Sequence, residues 1–421
     1  MQSKPMRART VLALALLVVA LGGLAIGSFI IDTDSGGEIT VLWVSETGRE
    51  VNGNHHAPAV AQIGGDQFVY APISGRANTD RCALYGLAAS SGERQWRSGI
   101  AVPDCTIHSI ADPTVADYDR DGTDEVLAAT TEDTLTAYNP RDGSVEFEYN
   151  LDSYGYTKPL VANITGDSRP ETVVVDVRGT VYVISASSET VWTRDLESTT
   201  FAQPAVGEFD NDGDTELAVA AGGVGELHLF EGNGTSSWDE PVTFDSSITW
   251  MTTGQADADA ASEIVVATAL DGTVVMVDGN STVLWERDLD TFAAVHGVTD
   301  GDEDGREEVY AVAVSGDLYS LDAETGQTEW RTRLTNADVQ MMPPPAVGDV
   351  DGDENQELVA PANDGTVSLV DPRTGEVTAT YEREIPIYTH PTMTDIDNDG
   401  DAEALVMYGD GRVVALDFGR A

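Results

Sequence analysis

From residue 39 onward the chain alternates apolar and polar residues in short runs, and the runs recur in a fixed order. Segments such as "GTVYVISA", "GTVVMVDG", "GDLYSLDA" and "GTVSLVDP" place apolar residues at every second position and begin at a glycine. Before them come fully apolar runs such as "EVLAAT" and "ELAVAA", the pattern of a strand buried on both faces. Earlier still is a short P-x-V segment, as in "DPTVADYD", "KPLVANIT", "QPAVGEFD", "PPAVGDVD" and "HPTMTDID". A Thr-Gly or Asn-Gly turn then leads to a fourth segment that often carries tryptophan: "TGQTEWRTRL", "ETVWTRDL", "NSTVLWERDL". No segment after residue 32 has a helical period. Four strands joined by tight turns and repeated about every 46 residues predict the blades of a β-propeller.

Eight blades are predicted. The first, about residues 55–100, has the P-A-V segment in "HHAPAVAQIGGDQFVYAPISG". The last stops at its third strand, "GRVVALDFGRA". The missing strand is found at the other end of the repeat region. "ITVLWVSETG", residues 39–48, resembles "STVLWERDLD" from Ser281. The predicted fold is therefore an all-β, eight-bladed propeller over residues 39–421, with an N-terminal strand completing the last blade and removing two sheet edges.

Between the first and second strands of seven repeats lies an acidic loop, D-x-D-x-D-G-x-x-E, whose closing glutamates are spaced 45–49 residues apart. Three loops have every element: Asp117, Asp119, Asp121 and Glu125; Asp300, Asp302, Asp304 and Glu308; Asp395, Asp397, Asp399 and Glu403. Glu208, Asp210, Asp212 and Glu216 begin with Glu in place of Asp. Asp349, Asp351, Asp353 and Glu357 have glycine at position 4 (Gly352) instead of position 6. The loop from Gln255 keeps Asp257, Asp259 and Glu263, with Ala260 where glycine is expected. The loop from Asn163 keeps Thr165, Asp167 and Glu171. Such phasing favours metal ligation over a merely acidic surface, although some loops can be plain acidic hairpins.

The stretch "LYSLDAETGQTEWRTRL" resembles the repeat of pyrroloquinoline-quinone-type propellers, whose enzymes have eight blades. The acidic loops resemble FG-GAP and VCBS repeats, as in integrin alpha propellers. That resemblance spans roughly residues 39–421 and implies calcium in the loops; it implies no reaction. Calcium takes roughly 6–8 oxygens at about 2.3–2.6 Å. Positions 1, 3 and 5 can converge around a tight turn, position 7 can offer a carbonyl, and the glutamate at position 9 closes the shell. The resembled repeats usually close with Asp, so Glu throughout is a departure. In the first blade "QIGGDQF" replaces the loop and no metal is expected there.

Composition changes the picture at three points. The 421 residues include 73 Asp and Glu against 22 Lys and Arg, a formal net charge of −51. Only Lys4 and Lys158 are lysines. Acid-rich, lysine-poor composition suits a halophilic protein, and a charge so negative argues against nucleic acid as a partner. Second, residues 1–10 are basic, 11–31 carry no charge over 21 residues, and 32–38 form a linker. The apolar stretch is long enough to cross a bilayer, which predicts a single-pass signal-anchor with the propeller outside the cell membrane. A cleaved signal peptide, releasing a secreted propeller, is the alternative. Third, Cys82 and Cys105 are the sole cysteines, and an extracellular setting predicts a disulfide between them. Asn233 and Asn280 stand in glycosylation triplets, and Asn163 in another within an acidic loop.

The fourth-strand tryptophans Trp96, Trp192, Trp238, Trp285 and Trp330 are expected to pack blade against blade. The residues before the P-x-V strands are expected to face the axial opening: Ala57, Asp112, Lys158, Gln203, Trp250, Val295, Pro344 and His390, with His296 one step on. They differ from blade to blade while the scaffold repeats. Lys158 is either kept for a ligand or ion-paired with Asp112 or a nearby acid. No Ser-His-Asp spacing, zinc motif or phosphate loop is present. The expected function is that of a non-enzymatic, monomeric binding, adhesion or assembly module for a cell-surface protein or glycan. The alternative is a quinoprotein dehydrogenase with a quinone at the axial mouth, sketched by Asp112, Lys158 and Trp250; the vicinal disulfide found in many such enzymes is missing from this sequence.

Overall fold

The alternating runs become strands, and the computed structural model, which describes residues 39–257 and 259–419, groups them into eight antiparallel four-stranded sheets. The basic segment 1–10, the apolar stretch 11–31 and the linker 32–38 lie outside the described residues. Among the described residues no helix is long and apolar enough to cross a membrane. Blade 1 comprises Ala59–Ile63, Asp66–Ile73, Ala83–Ala88 and Arg94–Gly99. The next six blades begin with Thr114–Ala116, Leu160–Ala162, Ala205–Gly207, Ile248–Gly254, Ala293–Thr299 and Ala346–Gly348.

Blade 8 is built from both ends of the described chain. Thr392–Thr394, Glu403–Met407 and Val413–Asp417 are completed by Thr40–Val44, which runs antiparallel to Val413–Asp417. The expected N-terminal closing strand is thus present. Blades 8 and 1 share an apolar cluster in which Trp43, Leu405, Met407 and Val413 meet Val69, Ala71 and Tyr85. Thr392 Oγ1 also donates to the Pro58 carbonyl at 2.8 Å.

The core lies between neighbouring sheets. Second strands such as Glu125–Thr130, Glu216–Ala221 and Glu308–Ala313 are buried along their whole length, as their unbroken apolar character requires. Fourth strands such as Thr190–Asp195 and Val283–Asp288 are largely exposed apart from their tryptophan because they form the outer edge of each blade.

Tryptophans fasten the blades through the same contact in six places. The indole N–H donates to a carbonyl in the next blade: Trp43 to Ala89, Trp96 to Pro140, Trp192 to Gly232, Trp238 to Gly279, Trp285 to Ala323 and Trp330 to Pro372. Under five of these rings, all but that of Trp238, lies the turn glycine of the next blade; in blade 5 the left-handed turn residue is Ser281. A Cβ at Gly326, for instance, would meet the Trp285 indole at 2.5 Å, and Gly326 also adopts φ 66°. Glycine is needed there on both counts. In blades 2 and 7 the equivalent positions are Phe147 and Ala379.

Trp238 corrects one expectation, for it stands outside a fourth strand. In blade 4 that strand is only Val242–Thr243. Pro241 has no amide hydrogen to extend the ladder back toward Trp238. Trp285→Phe is expected to retain the ring contact but leave the buried Ala323 carbonyl without its donor, costing about 1–2 kcal/mol. Denaturant unfolding with an unchanged m-value checks this.

Cys82 and Cys105 are joined in a disulfide that ties blade 1 to the connector leading into blade 2.

Candidate functional site

Two sets of polar residues lie at opposite ends of the short first strands. The acidic loops follow those strands, and the axial residues precede them.

In six of the loops the backbone is left-handed at both position 4 and position 6. The pairs are Arg120 and Gly122, Gly166 and Ser168, Asn211 and Gly213, Glu303 and Gly305, Gly352 and Glu354, and Asn398 and Gly400. The sequence signalled only the glycine. The glycine displaced to Gly352 leaves the geometry unchanged because both positions have positive φ. Amides hold the carboxylates in place. The position 6 N–H donates to the first acid, as from Gly122 to Asp117 and Gly305 to Asp300, both at 3.0 Å. Position 5 donates to position 3, as in Asp121 to Asp119 at 3.1 Å and Asp399 to Asp397 at 3.1 Å. Position 7 donates to position 5, as in Thr123 to Asp121 at 2.8 Å and Asn355 to Asp353 at 2.8 Å.

The closing glutamates stand at the start of the second strands, all buried except Glu357, which is half-buried. One oxygen accepts the position 2 amide, as in Phe209 to Glu216 at 2.7 Å, Gly301 to Glu308 at 3.0 Å, Val350 to Glu357 at 3.1 Å and Ile396 to Glu403 at 2.7 Å. The other oxygen is turned toward the loop's acids. Buried oxygens of Asp117, Glu125, Glu216, Asp300 and Asp351 have no hydrogen-bond partner. Burial, followed by the charge of the loop aspartates, pushes the Glu125 carboxyl up to about 8 and those of Glu216, Glu263, Glu308, Glu357 and Glu403 up to about 7. Buried, unpartnered carboxylate oxygens clustered at one point suit a hard cation. In at least four loops the cluster brings donor atoms within 4.8 Å: Glu208, Asp210, Asp212 and Glu216; Asp300, Asp302, Asp304 and Glu308; Asp117, Asp119 and Glu125; Asp257, Asp259 and Glu263.

The Asn163 loop is different. Glu171 accepts from the Ile164 amide, the Thr165 amide and the Thr165 hydroxyl at 3.0–3.1 Å, so both its oxygens are occupied within the loop. Asp167 accepts from the Arg169 amide. This loop closes on itself and fits a cation least well. In the Gln255 loop the position 1 side chain is a neutral amide, engaged with Asp259 and Asp257.

At the other end, the connectors and first strands line a cavity of about 1200 Å³. Asp112, Lys158, Gln203, Trp250, His296 and His390 all border it, with Ala57 and Val295; from blade 7 it is Pro345, one step beyond the expected Pro344, that lines the wall. Asp112 is the buried centre. Its Oδ1 accepts from His56 Nδ1 at 2.7 Å and from the Ala57 amide at 3.2 Å, and its Oδ2 lies 3.9 Å from His390 Nε2. Burial works to raise the Asp112 carboxyl. The hydrogen bond from His56, with His390 and Lys158 beyond, outweighs it and holds the carboxyl below its usual value. The His296 and His390 rings are in contact, centroids 3.6 Å apart. His296 is reached by water within the cavity, but the surrounding walls desolvate its ring, and its pKa falls well below the usual value.

Lys158 is exposed to the cavity. The anticipated ion pair with Asp112 does not form, because His56 takes that carboxylate, and Lys158 has no ion pair among the described residues. Its backbone amide donates to the Gln203 side chain, so Gln203 braces blade 3 against blade 4.

Sequence reasoning missed His55, His56, His108 and Tyr156. Five of the six histidines border this one cavity. The "HH" before the first P-A-V strand was the available signal, but nothing local links it to His108.

The family model described as outer membrane protein assembly factor BamB matches residues 31–200, 80–269 and 270–419. No curated protein matches the chain by sequence. Among solved structures, BamB from Moraxella catarrhalis is 14% identical with a TM-score of 0.60, covering 90% of this chain and 98% of its own. The V. cholerae biofilm matrix protein Bap1 is 12% identical with a TM-score of 0.67, covering 91% of each chain. The computationally designed Ika8 protein is 15% identical with a TM-score of 0.64, covering 90% of this chain and 99% of its own. At these identities the structural likeness shows the propeller fold alone.

Proposed function

We propose that this chain, which belongs to the outer membrane protein assembly factor BamB family, is a non-catalytic binding or assembly module that engages a protein partner at the cell surface through its axial cavity. The observation that carries this reading is the contrast between frame and mouth. The indole latches and turn glycines recur around the ring, whereas the cavity gathers a lysine, an aspartate, histidines and a tryptophan that occur in no regular pattern. The family description names an assembly factor, which accords with a protein partner. Calcium in the acidic loops would stiffen the opposite rim, leaving the mouth free. Residues 11–31 would anchor the propeller in the cell membrane.

Lys158 tests the mouth. In a strongly negative chain its unpaired ammonium is the natural contact for an anionic group on the partner. After a partner is captured from the native cell surface, Lys158→Ala is expected to weaken its binding more than tenfold, about 1.4 kcal/mol, with the melt barely changed. A structural surface ion pair would contribute only about 0–1 kcal/mol to stability and nothing to binding. Unaltered affinity in Lys158→Ala would remove the cavity from the binding surface.

A further inference from the structure

We propose that His55, His56 and His108 form a three-histidine site for a divalent transition metal of the zinc class, with its open coordination position facing the axial cavity. The reading is independent of calcium in the acidic loops. It rests on the donor atoms. His55 Nδ1 lies 2.7 Å from the Gly53 carbonyl, which can only accept, so that nitrogen carries the proton. His56 Nδ1 in the same way donates to Asp112. Each neutral ring then presents its Nε2 lone pair, and both Nε2 atoms are buried without a partner. His108 Nδ1 is likewise buried and unpartnered. One nitrogen from each of the three rings lies within 4.8 Å of the other two. A tetrahedral site with bonds of about 2.0–2.1 Å separates its nitrogens by about 3.3 Å, so closure needs ring movements on the order of an ångström.

Three buried imidazole nitrogens without a partner in one cluster of rings are costly unless something fills the gap. Plain ring packing accounts for the contacts, with centroids of His55 at 4.4 Å from His56 and 4.3 Å from His108, but not for a buried nitrogen without a partner on each of the three rings. Imidazole suits zinc-class ions and not calcium. Asp112 holds His56 as an outer carboxylate commonly holds a metal-bound histidine.

The surroundings are fixed in advance. Asn54, beside the pair, is buried and bonded to the Gly409 carbonyl and the Ser74 amide. The Cys82–Cys105 disulfide and the Ser109–Thr106 hydrogen bonds pin the connector that carries His108. The chain's single disulfide thus supports the segment that delivers the third ligand. On the open side, Tyr156 lies 5.3 Å from His108 and 5.4 Å from His56, ring to ring. With three protein ligands, the fourth position is left for water or an anionic group within the cavity.

The test uses the full chain, purified without a histidine tag, stripped of metal and returned to excess calcium so that the acidic loops do not compete. Zinc titration is expected to show one equivalent of tight binding. His55→Ala and His108→Ala should each weaken it at least a hundredfold, and Asp112→Asn about 10–100-fold. His228→Ala, the histidine in blade 4 paired with Glu226, should leave it unchanged. X-ray absorption at the zinc edge of the wild-type chain needs no variant and is expected to show three imidazole nitrogens at about 2.0 Å. An all-oxygen shell, the absence of tight zinc binding, or full retention of zinc by a folded His55→Ala/His108→Ala chain would overturn the proposal.

Discussion

Removing calcium at constant, high ionic strength is expected to lower the melting midpoint of the propeller by about 10 °C. The acidic loops would form a cation site only when the hairpins are folded, so bound calcium would stabilise the native state by RT ln(1 + [L]/Kd), about 2.7 kcal/mol per site at 100 Kd. The three loops with a full ligand set then contribute about 8 kcal/mol together. An unfolding entropy near 2.1 cal/mol/K per residue, over about 380 residues, converts this to about 10 °C. Individual loops should differ in a way the structure orders. Asp302→Asn alters a loop with an unpartnered buried oxygen on Asp300 and should remove most of that site's share of the calcium effect. Asp167→Asn alters the loop in which Glu171 is already saturated by Ile164 and Thr165 and should change little. Scanning calorimetry with calcium and with chelator makes both comparisons. An identical midpoint in the two conditions would refute the calcium reading, and equal responses of the two variants would refute the ordering of the loops.

Deleting residues 39–48 from the full chain is expected to open the ring. Thr40–Val44 is the fourth strand of blade 8, and without it Val413–Asp417 becomes a bare sheet edge, a template for aggregation. The loss is not confined to backbone pairing. Trp43 latches blade 8 to Ala89 of blade 1 at 2.7 Å and packs over Gly92. Loss of a buried tryptophan side chain typically costs about 3–5 kcal/mol. Thr47 and Ser45, both buried, also bond across to Gly411 and Val413. Size-exclusion chromatography should show association, and the melt should fall steeply. A monomeric chain with an unshifted melt would show that the segment is only a linker.

The frame was legible in the sequence because a blade is specified by contacts between near neighbours. Alternation gave the strands, and apolar runs such as Glu216–Ala221 marked those buried on both faces. The recurrence of turn glycines and Trp anticipated the latches, since five of the six indoles meet the turn glycine of the following blade at the same point in the repeat. The incomplete last repeat even located its missing strand at residues 39–48. The acidic loops were readable as loops for the same reason, because all their acids fall within nine residues. What they concealed was the second left-handed position, borne by Arg120, Asn211, Glu303 and Asn398, which carries no glycine to announce it.

The axial cavity had to wait for the tertiary structure. His56, Asp112 and His390 belong to three different connectors; the 2.7 Å contact joins those of the neighbouring blades 1 and 2, and the 3.9 Å contact exists only because the ring brings blade 8 back to that side. Lys158 looked like a partner for Asp112, but the fold gave that carboxylate to His56, which no local pattern could foretell. His55, His56 and His108 carry no motif spacing, since their separation along the chain is that of one blade and reflects the scaffold, not a ligand loop. Repeated sequence therefore determined the propeller and its acidic rim through short-range periodicity. Closure of the ring alone decided which unrepeated side chains would share its axis, because convergence there depends on the position of every blade at once.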